Sequence, residues 1–451
     1  MRVGLRGGVG VLLVAAALAG CNSTVVGRAA PAPGVGNGLP ATPTASPENP
    51  NAPVTLTLML LSGSGVRELN LIDAYRRVHP NVTVRLVEAP PGPAAYWLKV
   101  QVALGLSDGP YDLFTVPEDQ IGLVTANPPS GRPRLWADLT QYGAGQLRST
   151  FFPASWAAAS TADGKVYGLG LDLAPTAICY RRDLLASAGL PTDRAALAGQ
   201  WTSWAAYLAS GRQFAARSHG PTRFADSPAS LFRGIVGGLN PLYYSTSGQP
   251  IYATNPTITQ AWNATVQAIH DNLVLPAGIF TPEWMTALAA GRTATVLCAP
   301  WMLALIQAQG RAGAGQWDVV PAPVPGQWGS SYLSVPANSQ HPRAAYELAA
   351  WLTAAGQRAG AYTRLGAFPA NRVAAQSSGV AAATNAFFNG APVGRSFGAA
   401  AAALPPAPVG PRTDTITDSF GEQLTAVAAS GVAPAAAWSR ALSVIHQVTG
   451  N

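Results

Sequence analysis

The chain has 451 residues, enough for two or three domains at roughly 100–200 residues each. Hydrophobic residues make up 48% and charged residues 11%, which supplies material for large cores and excludes a mostly disordered chain. The formal charge is +7, but no Lys/Arg run concentrates it, which argues against a nucleic-acid-binding arm. Five His and three Cys are too few and too scattered for a zinc-finger array or a disulfide-dense scaffold.

Residues 1–20 read as a signal rather than as part of the fold. Arg2 and Arg6 form a positive start, and residues 9–18 form an apolar run shorter than the ~20 residues a membrane span needs. Small residues then lead to Leu18-Ala19-Gly20-Cys21. A Cys at the first mature position resembles a bacterial lipoprotein signal, which implies cleavage before Cys21 and its acylation as a membrane anchor. Residues 21–53 are rich in Pro, Ala, Gly, Ser and Thr and read as a disordered, partly extended tether.

Order is expected from Val54. Val54, Leu56, Leu58 and Leu60 alternate with less apolar neighbours, the period of a strand. Val66, Leu69, Ile72 and Tyr75 recur at helical spacing before Pro80. Val82, Val84 and Leu86 alternate again, Trp97, Val100 and Leu104 form a second helical stripe, and residues 111–116 read as a third strand. Strand–helix–strand–helix–strand predicts an α/β fold with a parallel sheet, whose ligands sit beyond the carboxyl ends of the strands. Farther on, residues 177–180 and 293–297 read as strands, and residues 204–216, 257–272 and 283–290 as helices. Helical patterns also begin at His341 and fill residues 414–448.

Several separated blocks resemble one family. They are Asp163-Gly164-Lys165-Val166-Tyr167-Gly168-Leu169; Tyr180-Arg181-Arg182-Asp183-Leu184-Leu185 with Ala188-Gly189-Leu190-Pro191; Gly291-Arg292-Thr293-Ala294 with Pro300-Trp301-Met302; and Ser334-Val335-Pro336 with His341-Pro342-Arg343-Ala344-Ala345. In this order, behind a lipoprotein leader, they resemble the extracytoplasmic solute-binding proteins of carbohydrate ABC transporters. Pro241-Leu242-Tyr243-Tyr244, Ser247-Gly248-Gln249 and Asn255-Pro256 resemble an actinobacterial subgroup that mostly serves oligosaccharides.

The resemblance implies a two-lobed periplasmic-binding-protein-like (type II) clamshell whose hinge the chain crosses three times, near 170–173, 324–330 and 365–372. Lobe one would comprise residues 54–170 and 329–366, and lobe two residues 171–328 and 367–451. It implies a lipid-anchored, monomeric receptor on the outer face of the cell membrane. The receptor would capture a carbohydrate, for choice an oligosaccharide, and pass it to membrane permease subunits driven by a cytoplasmic ATPase. No enzyme activity, cofactor, metal or nucleic acid is implied. The chain itself has no G-x-x-x-x-G-K-[ST] phosphate loop.

Pyranoses present an apolar CH face and a hydroxyl rim, which suits aromatic rings and carboxylates. With 12 Trp in the chain, Trp301 and Trp328 are the aromatic candidates, the first after a strand end and the second in a crossing. Glu118 and Asp172 are the carboxylate candidates; Ser62, Tyr332, Arg372 and Arg412 complete the expected ligand set. Core packing, helix capping and solvation compete for each of these residues. Cys179 and Cys298 pair in the subgroup and form either one disulfide or two buried thiols. Rival readings are a secreted glycosidase, a scaffold lipoprotein, or the same clamshell with another cargo such as a glycerophosphate compound. No G-x-S-x-G elbow, H-E-x-x-H helix or His spacing of a metal site supports an enzyme.

Overall fold

A computed structural model describes residues 52–450 except 62–63, 91–92, 129, 219 and 246. The leader, Cys21 and most of the expected tether lie outside the described residues, as does Ser62. Asn49–Asn451 forms one compact unit. Its three clusters of buried side chains all lie between Leu56 and Ile445, so the unit carries its own cores and folds on its own.

The opening alternation forms β1 (Val54–Met59), α1 (Leu71–Val78), β2 (Val82–Val87), α2 (Pro93–Leu104), β3 (Leu113–Pro117) and α3 (Glu118–Thr125). β1 pairs in parallel with β2 and β3, as the pattern predicts. Period-2 geometry sends neighbouring side chains to opposite faces. Leu58 therefore joins Leu71 and Tyr75 of α1 on one face, while Met59 joins Tyr96 and Val100 of α2 and Ile121 of α3 on the other. The buried Tyr96 hydroxyl bridges the carbonyls of Met59 and Thr115, tying together the carboxyl ends of β1 and β3.

Then follow β4 (Leu169–Asp172), β5 (Ala177–Arg181), β6 (Arg223–Ala225), β7 (Thr293–Cys298), β8 (Trp317–Pro321) and β9 (Ser331–Ser334). The first sheet has the order β2-β1-β3-β9-β4, and β9 runs antiparallel to both neighbours. The sheet is thus mixed, because β9 returns from a distant part of the chain. The second sheet has the order β6-β7-β5-β8. The helices Pro228–Val236, Pro256–His270, Thr413–Ser430 and Pro434–Thr449 pack together beside it around Phe232, Trp262, Phe420 and Ile445.

Three segments run side by side between the sheets. Leu173 N–H donates to the Phe368 carbonyl, Thr176 N–H to that of Gly326, and Trp328 N–H to that of Ala174, each at 2.8 Å. In the second sheet Cys179 and Cys298 form a disulfide across β5 and β7, with Cα atoms 5.9 Å apart.

Candidate functional site: a cavity between the two sheets

β3 ends at Pro117, and α3 starts at once with Glu118 and Asp119 in its first turn. From the other side comes the helix Thr413–Ser430, with Asp414 in its first turn. Both carboxylates thus sit at helix N-termini, where the free N–H groups favour negative charge. Between them lies a cavity of about 850 Å³, within the usual ~300–1,000 Å³ of small-ligand pockets. Thr125 and Asn127 line it from α3 and its exit; Arg233, Asn240, Tyr243 and Tyr244 face them, with Gln327 and residues 407–411 closing the wall.

Glu118 connects this cavity to the crossing segments. Its Oε2 accepts from Gly329 N–H at 2.7 Å and Ser330 N–H at 2.9 Å. Its Oε1 has no hydrogen-bond partner among the described residues, although the side chain lines the cavity and Glu118 is only 7% exposed. Burial first, and then the charge of Asp414, push its pKa up to about 8, against the two N–H groups and Arg233.

Arg233 is the cation of the site. It donates to Asp414 at 2.5 Å and to Asp418 at 2.7 Å, and its guanidinium lies 4.8 Å from the centre of the Trp328 ring. Burial would lower its pKa, but the carboxylates outweigh that and hold it raised. Its charge is therefore committed to protein partners. The described lining residues include three carboxyl groups, Glu118, Asp163 and Asp414, and one guanidinium; Glu118 keeps its proton below about pH 8, Asp163 pairs with Lys165 and Asp414 with Arg233. With its cation already committed to carboxylates, such a wall suits uncharged hydroxyl groups better than anions.

Of the expected ligand residues that the structure describes, Glu118 alone lines this cavity. Trp328 is buried, sandwiched between Arg233 and a cluster with Trp301 and Phe280. Trp301 is 37% exposed, and its Nε1 donates to the Trp328 carbonyl at 2.9 Å. Asp172 Oδ1 accepts from Ser331 N–H, bracing two crossing segments. Tyr332 is fully buried in the core against α2 and α3. Arg372 is exposed and donates to the Ser149 carbonyl. Arg412 stands between the lining residues Pro411 and Thr413 in a left-handed conformation, φ 57°. The sequence reading missed Arg233, Asp414, Asn127, Asn240 and Tyr244 as a set. Asp414 carried a signal, being an acidic residue at the start of a helical pattern, and Tyr244 lay in one of the resembling blocks; Arg233, Asn127 and Asn240 carried none.

Two sheets with helical layers, joined by three strands of chain and holding a cavity between them, make the molecule a two-lobed clamshell of the binding-protein type. Residues 70–388 match the family model described as bacterial extracellular solute-binding protein. A solved family 1 extracellular solute-binding protein is 33% identical, with a TM-score of 0.80, over 88% of this chain and 99% of that one. The chain belongs to this family. The galacto-N-biose-/lacto-N-biose I-binding protein of a Bifidobacterium longum ABC transporter shares the fold at 18% identity, with a TM-score of 0.68 over 88% and 97% of the two chains. The sugar-binding protein MalE of Xanthomonas citri does so at 17% identity, with a TM-score of 0.67 over 87% and 96%. A lactose-binding protein of Rhizobium radiobacter is 22% identical over 269 residues, 56% of this chain and 56% of that relative, so the match spans little more than half its length.

Proposed function

We propose that this protein captures a neutral sugar, for choice an oligosaccharide, and delivers it to an ABC importer. The observation that carries this reading is the cavity of about 850 Å³ lined by Glu118, Asp414 and neutral amide side chains, with Glu118 Oε1 without a hydrogen-bond partner among the described residues. The sugar ligands in the descriptions of several relatives support it. Below about pH 8 Glu118 keeps its proton and, with Oε2 taken by two N–H groups, offers Oε1 as a hydroxyl donor; Asp414 takes hydroxyl hydrogens, Asn127 and Asn240 offer both donors and acceptors, and Tyr244 gives an aromatic face. Trp301, partly exposed outside the cavity, would receive a further sugar unit of a longer ligand. Arg233, the cation among the described lining residues, is already bound to Asp414 and Asp418, which weighs against a glycerophosphate cargo.

Residues 54–170 and 329–366 would form lobe one, and 171–328 and 367–451 lobe two. The three adjacent segments would act as the hinge, and closure would add contacts from both sides of a ligand. The chain would be a monomer without enzymatic activity, and the energy for import would come from a partner ATPase. Cys21 would be its lipid anchor on the extracytoplasmic face of the membrane. No helix of the described residues is long and apolar enough to cross a membrane.

A thermal-shift screen of residues 49–451 against lactose, lacto-N-biose and maltose tests the reading. A sugar at 100 times its Kd adds about 2.7 kcal/mol to stability. A shift with one sugar class and no cleavage product after long incubation is the expected outcome. Cleavage would revive the glycosidase reading. A folded protein that ignores every sugar would sink the proposal.

A further inference from the structure

Gly122 has no backbone reason to be glycine. It lies within α3, and its φ is outside the left-handed region that favours glycine. A glycine inside a helix is a weaker helix former than alanine. The reason for it lies across the cleft. A Cβ at this position would stand 2.4 Å from both the carbonyl carbon and the oxygen of Gly410, and 2.6 Å from the Val409 carbonyl oxygen. These are backbone atoms, which cannot rotate aside as a side chain can.

Gly410 is held from behind. A Cβ on Gly410 would meet Tyr244 Cδ2 at 2.1 Å. α3 packs on β3 and β9 of the first sheet, whereas residue 410 leads into the helix Thr413–Ser430, which packs on Pro228–Val236 and Pro434–Thr449. Helix, backbone and ring therefore stack in three layers from one lobe to the other, and all three residues line the cavity. We propose that Gly122 and Gly410 form a clasp whose missing side chains let the lobes close fully over a captured solute. The inference rests on the two-lobed capture reading, but not on which solute is captured.

The test needs no sugar. In residues 49–451, Asn127→Cys and Ser245→Cys place thiols on opposite walls of the cavity, and a bismaleimide just long enough to span it traps closing excursions. With Gly122→Ala the trapping rate is expected to fall about ten-fold or more, the scale of an overpacked contact. The control Gly145→Ala, at a glycine with nothing within 4 Å of its Cβ position, leaves the rate unchanged. A longer reagent, able to bridge an open cleft, should react with all variants alike. Equal short-reagent rates with and without the Gly122→Ala substitution would overturn the clasp. A fall with both reagents marks a damaged fold. The comparison then passes to Gly410→Ala, whose Cβ pushes that backbone off the Tyr244 ring and towards α3, and unchanged short-reagent trapping there overturns the proposal. A sugar screen that fails while the clasp variant slows trapping would reject the cargo and keep the clasp.

Discussion

Glu118 places a carboxylate where charge is disfavoured, and this gives stability a pH dependence of known sign. Its pKa rises from an ordinary 4.5 to about 8 in the folded protein. Between those values the folded chain keeps a proton that the unfolded chain releases, so its contribution to stability falls as pH rises and is fully lost above the folded value. Glu118→Gln keeps an amide oxygen for the Gly329 and Ser330 N–H groups and cannot ionise. Denaturant midpoints should match wild type near pH 5 and exceed it near pH 9. Identical pH profiles would refute this. Arg233 works in the opposite sense, since it neutralises Asp414 beside Glu118. Arg233→Met strands a partly buried carboxylate and should destabilise by about 3 kcal/mol in urea unfolding. The Asp418 arm contributes less, because that side chain is 58% exposed.

At the scale of elements, the second sheet depends on a covalent tie. The disulfide joins β5 and β7 across 119 residues of sequence. Loop-closure entropy assigns such a cross-link about 4–5 kcal/mol. A Cys179→Ala, Cys298→Ala double variant should lose that amount in denaturant unfolding, and the wild type should shift to match it under reductant. Between the tied strands and the neighbouring helices, Asp226 accepts from Ser230 Oγ at 2.8 Å and Trp284 Nε1 at 3.0 Å, which fixes the helix Pro282–Ala289 against the sheet. β1, α1, β2 and α2 were legible because each buries one face and shows its period, and β3 because its buried residues Leu113 to Val116 form a short, mostly apolar run. β8 was not, because it is buried on both faces, shows no alternation and carries the buried charge of Asp318 inside the run. β6 has only three residues, too few to carry a period.

At the scale of the whole molecule, the proposed function needs a body held near a membrane and a cleft that closes. If Cys21 is the anchor, Cys21→Ala should move the protein from the membrane to the soluble fraction without changing the thermal midpoint of residues 49–451; continued membrane retention would refute the anchor. Independence of the two effects is expected, since the cores begin at Leu56.

Local chemistry was readable along the chain: the amphipathic periods, the carboxylate following β3 and the family blocks all depend on near neighbours. Assembly of the site was not readable in this way. Glu118 meets Gly329 and Ser330 across more than two hundred residues, and Arg233 meets Asp414 across 181. Trp301 and Trp328 looked like cavity walls because they follow a strand end and sit in a crossing. The fold instead turns Trp328 inward against Arg233 and leaves Trp301 outside the cavity lining. A residue's type and local period establish what it can do, while its partners are settled only when distant segments pack and exclude water between them.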